Sequence, residues 1–320
     1  MKDMYLNGIM GVVVGDALGC PVQFESRSAV ASNPVTGMRG YGTFNLPEGS
    51  WTDDSSLTLA LLDALNKYDE VDLSIIMRNF EKWLYTGEYT PYGYSYDVGG
   101  ATSTAINRYS RTKDPYTCGC TGEHSNGNGS LMRILPICLY CVEKGMDDEK
   151  AIKVVHEVGA LTHAHLRSKI GCGLYYFMVK YILCGEGSLN ERLQDACNRG
   201  FDFYDKHFDN DEVFLYNRLR DLGQFHQTKV WNIRSSGYVI DSLEASVWSL
   251  LNTASFEEAL LCAVNLGDDS DTVGAIAGGL GGLYYGIGRE KGIPEDWISK
   301  LKRVDYITEM CNKADERSEK

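Results

Sequence analysis

Asp269-Ser270-Asp271-Thr272-Val273-Gly274-Ala275-Ile276-Ala277-Gly278-Gly279-Leu280-Gly281-Gly282-Leu283-Tyr284 is the stretch on which the fold turns. Val273, Ile276, Ala277, Leu280 and Tyr284 recur at helical spacing, so a helix is expected over 271–287, with Asp271 placed to cap its first turn. Glycine is a poor helix former, yet Gly274, Gly278 and Gly281 or Gly282 share one stripe of this helix. A matching stripe, Gly8, Gly11, Gly15 and Gly19, runs through a first helix expected over 5–20. Large apolar residues fill the other positions of both segments. Two such stripes predict that the first helix and the helix entered at Asp271 lie side by side with their backbones in close approach.

Helical periodicity recurs outward from this pair, at 54–68, 71–85, 97–109, 130–144, 147–160, 166–184, 189–206, 211–222, 237–252, 255–265 and 294–301, while alternating strand patterns are almost absent. The fold class expected is all-α. No internal repeat, low-complexity tract or Pro/Ser-rich linker divides the chain, so one domain over residues 1–320 is the simplest organisation.

The formal net charge of -13 and the absence of any basic run argue against a surface for nucleic acid, whose readers carry a basic face. Met1 to Leu6 lack a basic leader, and the apolar run from Ile9 to Val14 is broken by Gly11 and followed by Asp16. A soluble, cytoplasmic protein without membrane contact is expected. The ten cysteines are scattered and read as reduced core thiols rather than a disulfide framework. Cys118, Cys120, Cys138 and Cys141 can be drawn as a zinc site, but Cys138 and Cys141 fall on one face of an apolar helical segment, which favours buried structural thiols.

Chemistry concentrates at two helix starts. Thr52-Asp53-Asp54 precedes the apolar face Leu57, Leu61, Ala64, Leu65 and Tyr68, and Asp269-Ser270-Asp271-Thr272 opens the glycine-striped helix. Asp and Thr are ordinary capping residues, favoured there by the helix dipole. One cap, however, needs one such residue. Several carboxylates packed together raise one another's pKa unless a cation neutralises them, so six oxygen donors, Thr52, Asp53, Asp54, Asp269, Asp271 and Thr272, point to a hard divalent metal site.

Between the clusters lies Ser125-Asn126-Gly127-Asn128-Gly129-Ser130-Leu131-Met132-Arg133, a small-residue loop expected to open another apolar helix and suited through its backbone N–H groups to an anion such as a diphosphate. No lysine follows it as in a nucleotide P-loop. In Thr162-His163-Ala164-His165 the two imidazoles, if helical, would point to nearly opposite sides and could not share an ion, so one is expected to line a pocket. Tyr89 to Tyr96, with four tyrosines, fits equally an aromatic wall or a surface turn.

Taken in order, Gly15-Asp16-Ala17-Leu18-Gly19, Trp51-Thr52-Asp53-Asp54, Asp97-Val98-Gly99, Gly127 to Arg133, Thr162-His163, Ser236-Gly237-Tyr238-Val239 and Gly267 to Thr272 resemble the ADP-ribosylglycohydrolase family over about residues 5–300, leaving a short polar C-terminal tail. The resemblance implies an orthogonal multi-helix bundle and two Mg2+ or Mn2+ ions held by Thr52, Asp53, Asp54, Asp269, Asp271 and Thr272. It further implies a diphosphate on Ser125, Asn126, Gly127, Asn128 and Gly129, with His163 and Tyr238 along the ADP-ribose. The reaction implied is hydrolysis of the bond between ADP-ribose and a modified side chain or small molecule, with arginine linkage first, by a monomer. Asp97 would lie near the scissile bond, and Asp54 and Asp271 are candidate bases toward water.

The chain departs from that family where many members carry a glutamate four residues beyond Gly19. Gln23 stands there, able to coordinate through its carbonyl but not to accept a proton, with Glu25 just beyond as a possible replacement. This departure keeps a non-catalytic ADP-ribose-binding protein of the same fold as the alternative. Two other motifs fail. The Asp-x-Asp-x-Val of haloacid dehalogenase-type phosphatases should follow a parallel strand, and an EF-hand begun at Asp269 would meet Leu280 at its twelfth position instead of glutamate.

Overall fold

The structure, a computed structural model, describes residues 3–208 and 211–319. In chain order the helices are α1 (Met4–Gly19), α2 (Arg27–Ser32), α3 (Asp53–Tyr68), α4 (Leu73–Thr86), α5 (Gly100–Thr112), α6 (Leu135–Glu143), α7 (Asp148–Ala160) and α8 (Leu166–Cys184). They continue with α9 (Leu189–His207), α10 (Asp211–Phe214), α11 (Leu222–His226), α12 (Val239–Leu251), α13 (Phe256–Val264), α14 (Ser270–Tyr285), α15 (Glu295–Lys300) and α16 (Val304–Ser318). Among the described residues, β pairing is confined to three isolated bridges, so the protein is all-α as its periodicity predicts.

The glycine stripes meet as expected. A Cβ added at Gly11 would stand 2.1 Å from the carbonyl oxygen of Gly278, and one at Gly15 2.0 Å from that of Gly274. At the end of α1, a Cβ on Gly19 would sit 2.4 Å from Asp271 Cα. Backbone against backbone, α1 and α14 form the centre of a continuous apolar core to which α3, α6, α8, α12, α13 and α16 add their faces. The segment Met4–Val22 is long and apolar enough to cross a membrane, but 89% of that window is buried inside the protein, as befits a central core helix.

Several expected bounds shift for physical reasons. Over 211–222 the continuous helix expected is instead broken into α10, a 3-10 turn at Asn217–Leu219 and α11. The buried Val213, Tyr216, Leu219, Leu222 and Phe225 repeat every three residues, the period of a 3-10 helix rather than 3.6. The helix expected at 130–144 begins only at Leu135, because Pro136 is tolerated only in a first turn. The C-terminal tail is not a tail: α16 buries Ile307, Met310, Cys311 and Ala314 along one face. Its Asp315 accepts hydrogen bonds at 3.0 Å from the backbone N–H groups of Tyr5 and Leu6, so the last helix caps the first turn of α1.

All ten cysteines are free, with Cys118, Cys138 and Cys141 buried, and no three His, Cys, Asp or Glu side chains among the described residues converge on one point as they stand. Seven of the ten are buried, but Cys120 and Cys262 are half-buried and Cys184 is exposed, so the core-thiol reading fits the former and not Cys184.

Candidate functional site

Both acidic clusters open helices, but their side chains do not cap them. Thr52 is the N-cap of α3 and Asp269 the N-cap of α14, and neither makes a side-chain capping bond. Asp271, expected to cap α14, lies inside its first turn instead. The carboxylates are thus left for each other. Thr52 Oγ1 stands 3.2 Å from Asp271 Oδ2 and 3.3 Å from Asp54 Oδ2, and Thr272 Oγ1 lies 3.4 Å from Asp54 Oδ2. The close approach of Gly19 to Asp271 seats the end of α1 on the start of α14, and Asp16 of the same helix binds the start of α3, so α1 brings residues 52–54 beside 269–272; a side chain at 19 would push α1 off α14.

Asp16, to which the sequence pattern assigns no role, organises one half of this arrangement. Fully buried, it accepts hydrogen bonds from Thr52 N at 2.9 Å, from Ser55 N at 3.0 Å and from Ser55 Oγ at 2.6 Å. Burial pushes its pKa up to about 7 against the pull of those donors. The signal that could have found it is an aspartate on an otherwise apolar, glycine-striped helix.

Burial and then neighbouring carboxylates hold Asp53, Asp54 and Asp271 well above the usual carboxylate range. Asp97 is raised as well, first by burial, and its carboxyl lies within hydrogen-bonding reach of both Asp271 and Asp53. Carboxyl groups at that range need a proton or a cation between them. Asp54 Oδ1 and Asp271 Oδ1 are buried with no hydrogen-bond partner, as is Gln23 Oε1. Orphaned oxygens at the meeting point of like charges, with Thr and Asp donors only, suit a hard cation.

A cavity of about 340 Å³ opens over this floor. Asp53, Asp97, Asp269, Thr272 and Gln23 line one end, and Ser125, Gly127, Asn128, Gly129 and His163 the other, while Thr52, Asp54 and Asp271 lie beneath. Asn128 joins the two ends, its Nδ2 donating to Ser242 Oγ at 2.8 Å and to Asp269 Oδ2. Gln23 Nε2 donates to Asp97 Oδ2 at 2.9 Å and lies 3.4 Å from Asp269 Oδ1. It is held there by Phe24 and Glu25, whose backbones pair with Asp268 through bonds of 2.6 and 2.7 Å.

Four expected placements differ. Asn126 does not line the cavity: its side chain is used inside the fold, donating to Glu123 O at 2.7 Å and accepting from Ser168 Oγ at 2.9 Å. The Tyr238 ring stands outside, under the guanidinium of Arg167 at 5.9 Å, and Gly237 lines the cavity in its place. Glu25 does not replace Gln23 over the acids, because its backbone pairing with Asp268 leaves it along an adjoining groove with Arg27 and Trp231. The loop at 125–129 leads into a 3-10 turn, Asn128–Ser130, not directly into an α-helix. Thr162 to His165 form the turn between α7 and α8, in the gap left between the helices expected over 147–160 and 166–184. His163 faces the cavity while His165 caps α8 through Arg167 N at 3.2 Å. Tyr92 stacks on Tyr94 at 6.1 Å, Tyr96 lies tilted against Tyr94 at 6.0 Å, and the Tyr96 hydroxyl donates to the Trp51 carbonyl, all three outside the cavity.

The ADP-ribosylglycohydrolase family model matches residues 1–320. The chain belongs to the ADP-ribosylglycohydrolase family. Within it, the chain is 28% identical to an ADP-ribosylarginine hydrolase of Serratia proteamaculans over 97% of its own length and 78% of that protein. It is 30% identical to the ADP-ribosyl-[dinitrogen reductase] glycohydrolase of Rhodospirillum rubrum over 94% of its length and 91% of that protein. A solved ADP-ribosylglycohydrolase-related protein complex superposes with a TM-score of 0.74 at 28% identity, covering 99% of this chain and 98% of that one. Family membership therefore extends through α16, beyond the 5–300 span of the motif resemblance.

Proposed function

We propose that this protein hydrolyses the glycosidic bond between ADP-ribose and a modified side chain, arginine first, with two Mg2+ or Mn2+ ions held by Thr52, Asp53, Asp54, Asp269, Asp271 and Thr272. The observation that carries the reading is the buried meeting of two Thr/Asp helix starts, with unpartnered Asp54 and Asp271 oxygens, at one end of a cavity whose other end is a glycine-asparagine loop. Bound ions would supply charge for the clustered carboxylates, orientation of ribose hydroxyls and an acidified water.

The residues of the chain divide the remaining work. Gly127 and Gly129 present side-chain-free positions to a diphosphate, which leaves the attached ribose over the acidic end. Asn128 ties that edge to Asp269, so the two ends keep a fixed spacing. Cleavage at the anomeric carbon builds positive charge on the sugar, which the surrounding carboxylates stabilise. Asp97 lines the cavity, is raised above the ordinary carboxylate range and has one oxygen fixed by Gln23 Nε2, so it is placed to take a proton from the attacking water. Asp54 and Asp271, deeper in the floor, act as ligands in this scheme. The names of the arginine hydrolase and dinitrogen reductase relatives support protein side-chain substrates.

The test is release of free ADP-ribose, read by mass spectrometry, from arginine- and serine-linked mono-ADP-ribosyl peptides with Mg2+ and with EDTA. Release with Mg2+ that EDTA stops, and that Asp269→Asn or Asp271→Asn abolishes, is the expected result. Binding of ADP-ribose without release from either linkage would favour the non-catalytic alternative that Gln23 keeps open.

A further inference from the structure

Arg133 is fully buried, with no carboxylate partner among the described residues. Its guanidinium lies 4.6 Å over the Phe80 ring, and its Nε and Nη1 have no hydrogen-bond acceptor. A charge kept at such cost in a core points to a task. Among the described residues its one polar contact is Nη2 donating to Thr162 Oγ1 at 2.6 Å, and the same hydroxyl oxygen lies 2.8 Å from His163 Nδ1.

Donor accounting fixes the direction of this chain. A guanidinium can only donate, so Thr162 Oγ1 accepts from Arg133. Thr162 is fully buried, and among the described residues the sole acceptor within reach of its own hydrogen is His163 Nδ1. Were Nδ1 protonated instead, two N–H groups would converge on one oxygen whose hydrogen had nowhere to go. Nδ1 is therefore the acceptor, and in a neutral ring the proton resides on Nε2. Burial, and then the charge on Arg133, lower the His163 pKa to about 3, so the ring is neutral. The Nε2 edge lies against the loop: a Cβ added at Gly127 would be 3.6 Å from Nε2, and one at Gly129 would be 2.8 Å from Cε1.

We propose that Arg133 and Thr162 are positioning residues that lock His163 in the Nε2–H tautomer, so that it presents a hydrogen-bond donor to the anion held by the Gly127–Gly129 loop. The anion's identity as a diphosphate rests on the function proposed above, but the tautomer does not. Gly129 belongs to the same device, since a side chain there would push the imidazole off the loop.

The test uses the full-length protein labelled with 15N, reading the His163 ring nitrogens by long-range 1H–15N correlation at pH 7, alongside ADP-ribose affinity by calorimetry. Wild type should show a protonated Nε2 and a bare Nδ1. Thr162→Val should lose that single tautomer and bind ADP-ribose about tenfold more weakly, the scale of one hydrogen bond to a charged group, while Thr162→Ser should restore both. Arg133→Met removes a buried unpaired charge, so it should weaken ADP-ribose binding without lowering thermal stability, whereas a purely structural arginine would lose both together. An Nδ1–H tautomer in wild type, or a Thr162→Val protein with unchanged tautomer and affinity, would overturn the proposal. Wild type with the Nε2–H tautomer that bound no ADP-ribose would refute the diphosphate reading of the loop and leave the Arg133–Thr162–His163 chain standing.

Discussion

Asp271→Asn should make the protein more stable without metal and less stable with it. Asp271 is fully buried, its Oδ1 has no partner, and burial followed by Asp269, Asp54, Asp97 and Asp16 raises its pKa. A carboxyl with a folded pKa above its unfolded one contributes stability that is fully present below the unfolded pKa and lost as pH rises through the folded value. At pH 8 in EDTA the wild type should therefore sit at the low end of its stability, and lowering the pH toward 5 should raise Tm. An amide at 271 removes one charge and adds an N–H donor among the carboxylates. Relief of a buried unpaired charge is worth about 2 kcal/mol. With an unfolding entropy of about 2 cal/mol/K per residue, a chain of 320 residues converts that into a Tm rise of about 3 °C. Saturating Mg2+ at 100-fold above its Kd should stabilise the wild type by about 2.7 kcal/mol, or about 4 °C, and the variant far less. Scanning calorimetry of both proteins at pH 8, with EDTA and with Mg2+, should show the two Tm values change order. A variant less stable than wild type in EDTA, or equally stabilised by Mg2+, would refute the reasoning.

Gln23→Glu places a third carboxylate against Asp97 and Asp269, which Gln23 Nε2 now bridges at 2.9 and 3.4 Å. In EDTA at pH 8 it should lower stability by about 1–3 kcal/mol, with the loss shrinking at pH 5, as thermal melts at the two pH values would show. Gly15→Ala forces a methyl to 2.0 Å from the Gly274 carbonyl oxygen and should prevent folding or cost more than about 4 kcal/mol. Gly100→Ala, with nothing within 4 Å of its added Cβ, should be neutral or gain up to about 1 kcal/mol in the same denaturation series. Asp315→Ala removes both acceptors of the α1 first turn and should cost about 1 kcal/mol, a Tm fall of roughly 1–2 °C by calorimetry.

Much of this was legible in the chain. The glycine stripes foretold the α1–α14 contact because only a missing Cβ allows carbonyl oxygens so near a neighbouring backbone, and a residue type records that at each position. The all-α class followed from period alone. Helix α16 had the pattern as well, with Ile307, Met310, Cys311 and Ala314 in register, but its polar composition concealed it. The break of the segment at 211–226 into short pieces around a 3-10 turn was also written in the spacing, as buried residues every three positions.

The site divides along the same line. Residue types at two helix starts established that six oxygen donors were in excess of capping needs, because a cap uses one acceptor and chemistry must account for the rest. Whether the starts meet, more than 200 positions apart, is a property of how α1, α3 and α14 cross, and no local pattern encodes a crossing. Asp16 was therefore visible as a residue but not as the brace of Thr52 and Ser55. For the same reason Asn126 and Tyr238, plausible by motif, turn out to face Ser168 and Arg167, since a side chain's direction depends on the backbone path of its loop. Residue type and spacing fix the helices, the close-packed pair and the excess of oxygen donors. Which oxygens lack partners and which nitrogen of His163 faces the cavity emerge in the folded chain alone, because hydrogen-bond partnership is settled by distance in space and not along the chain.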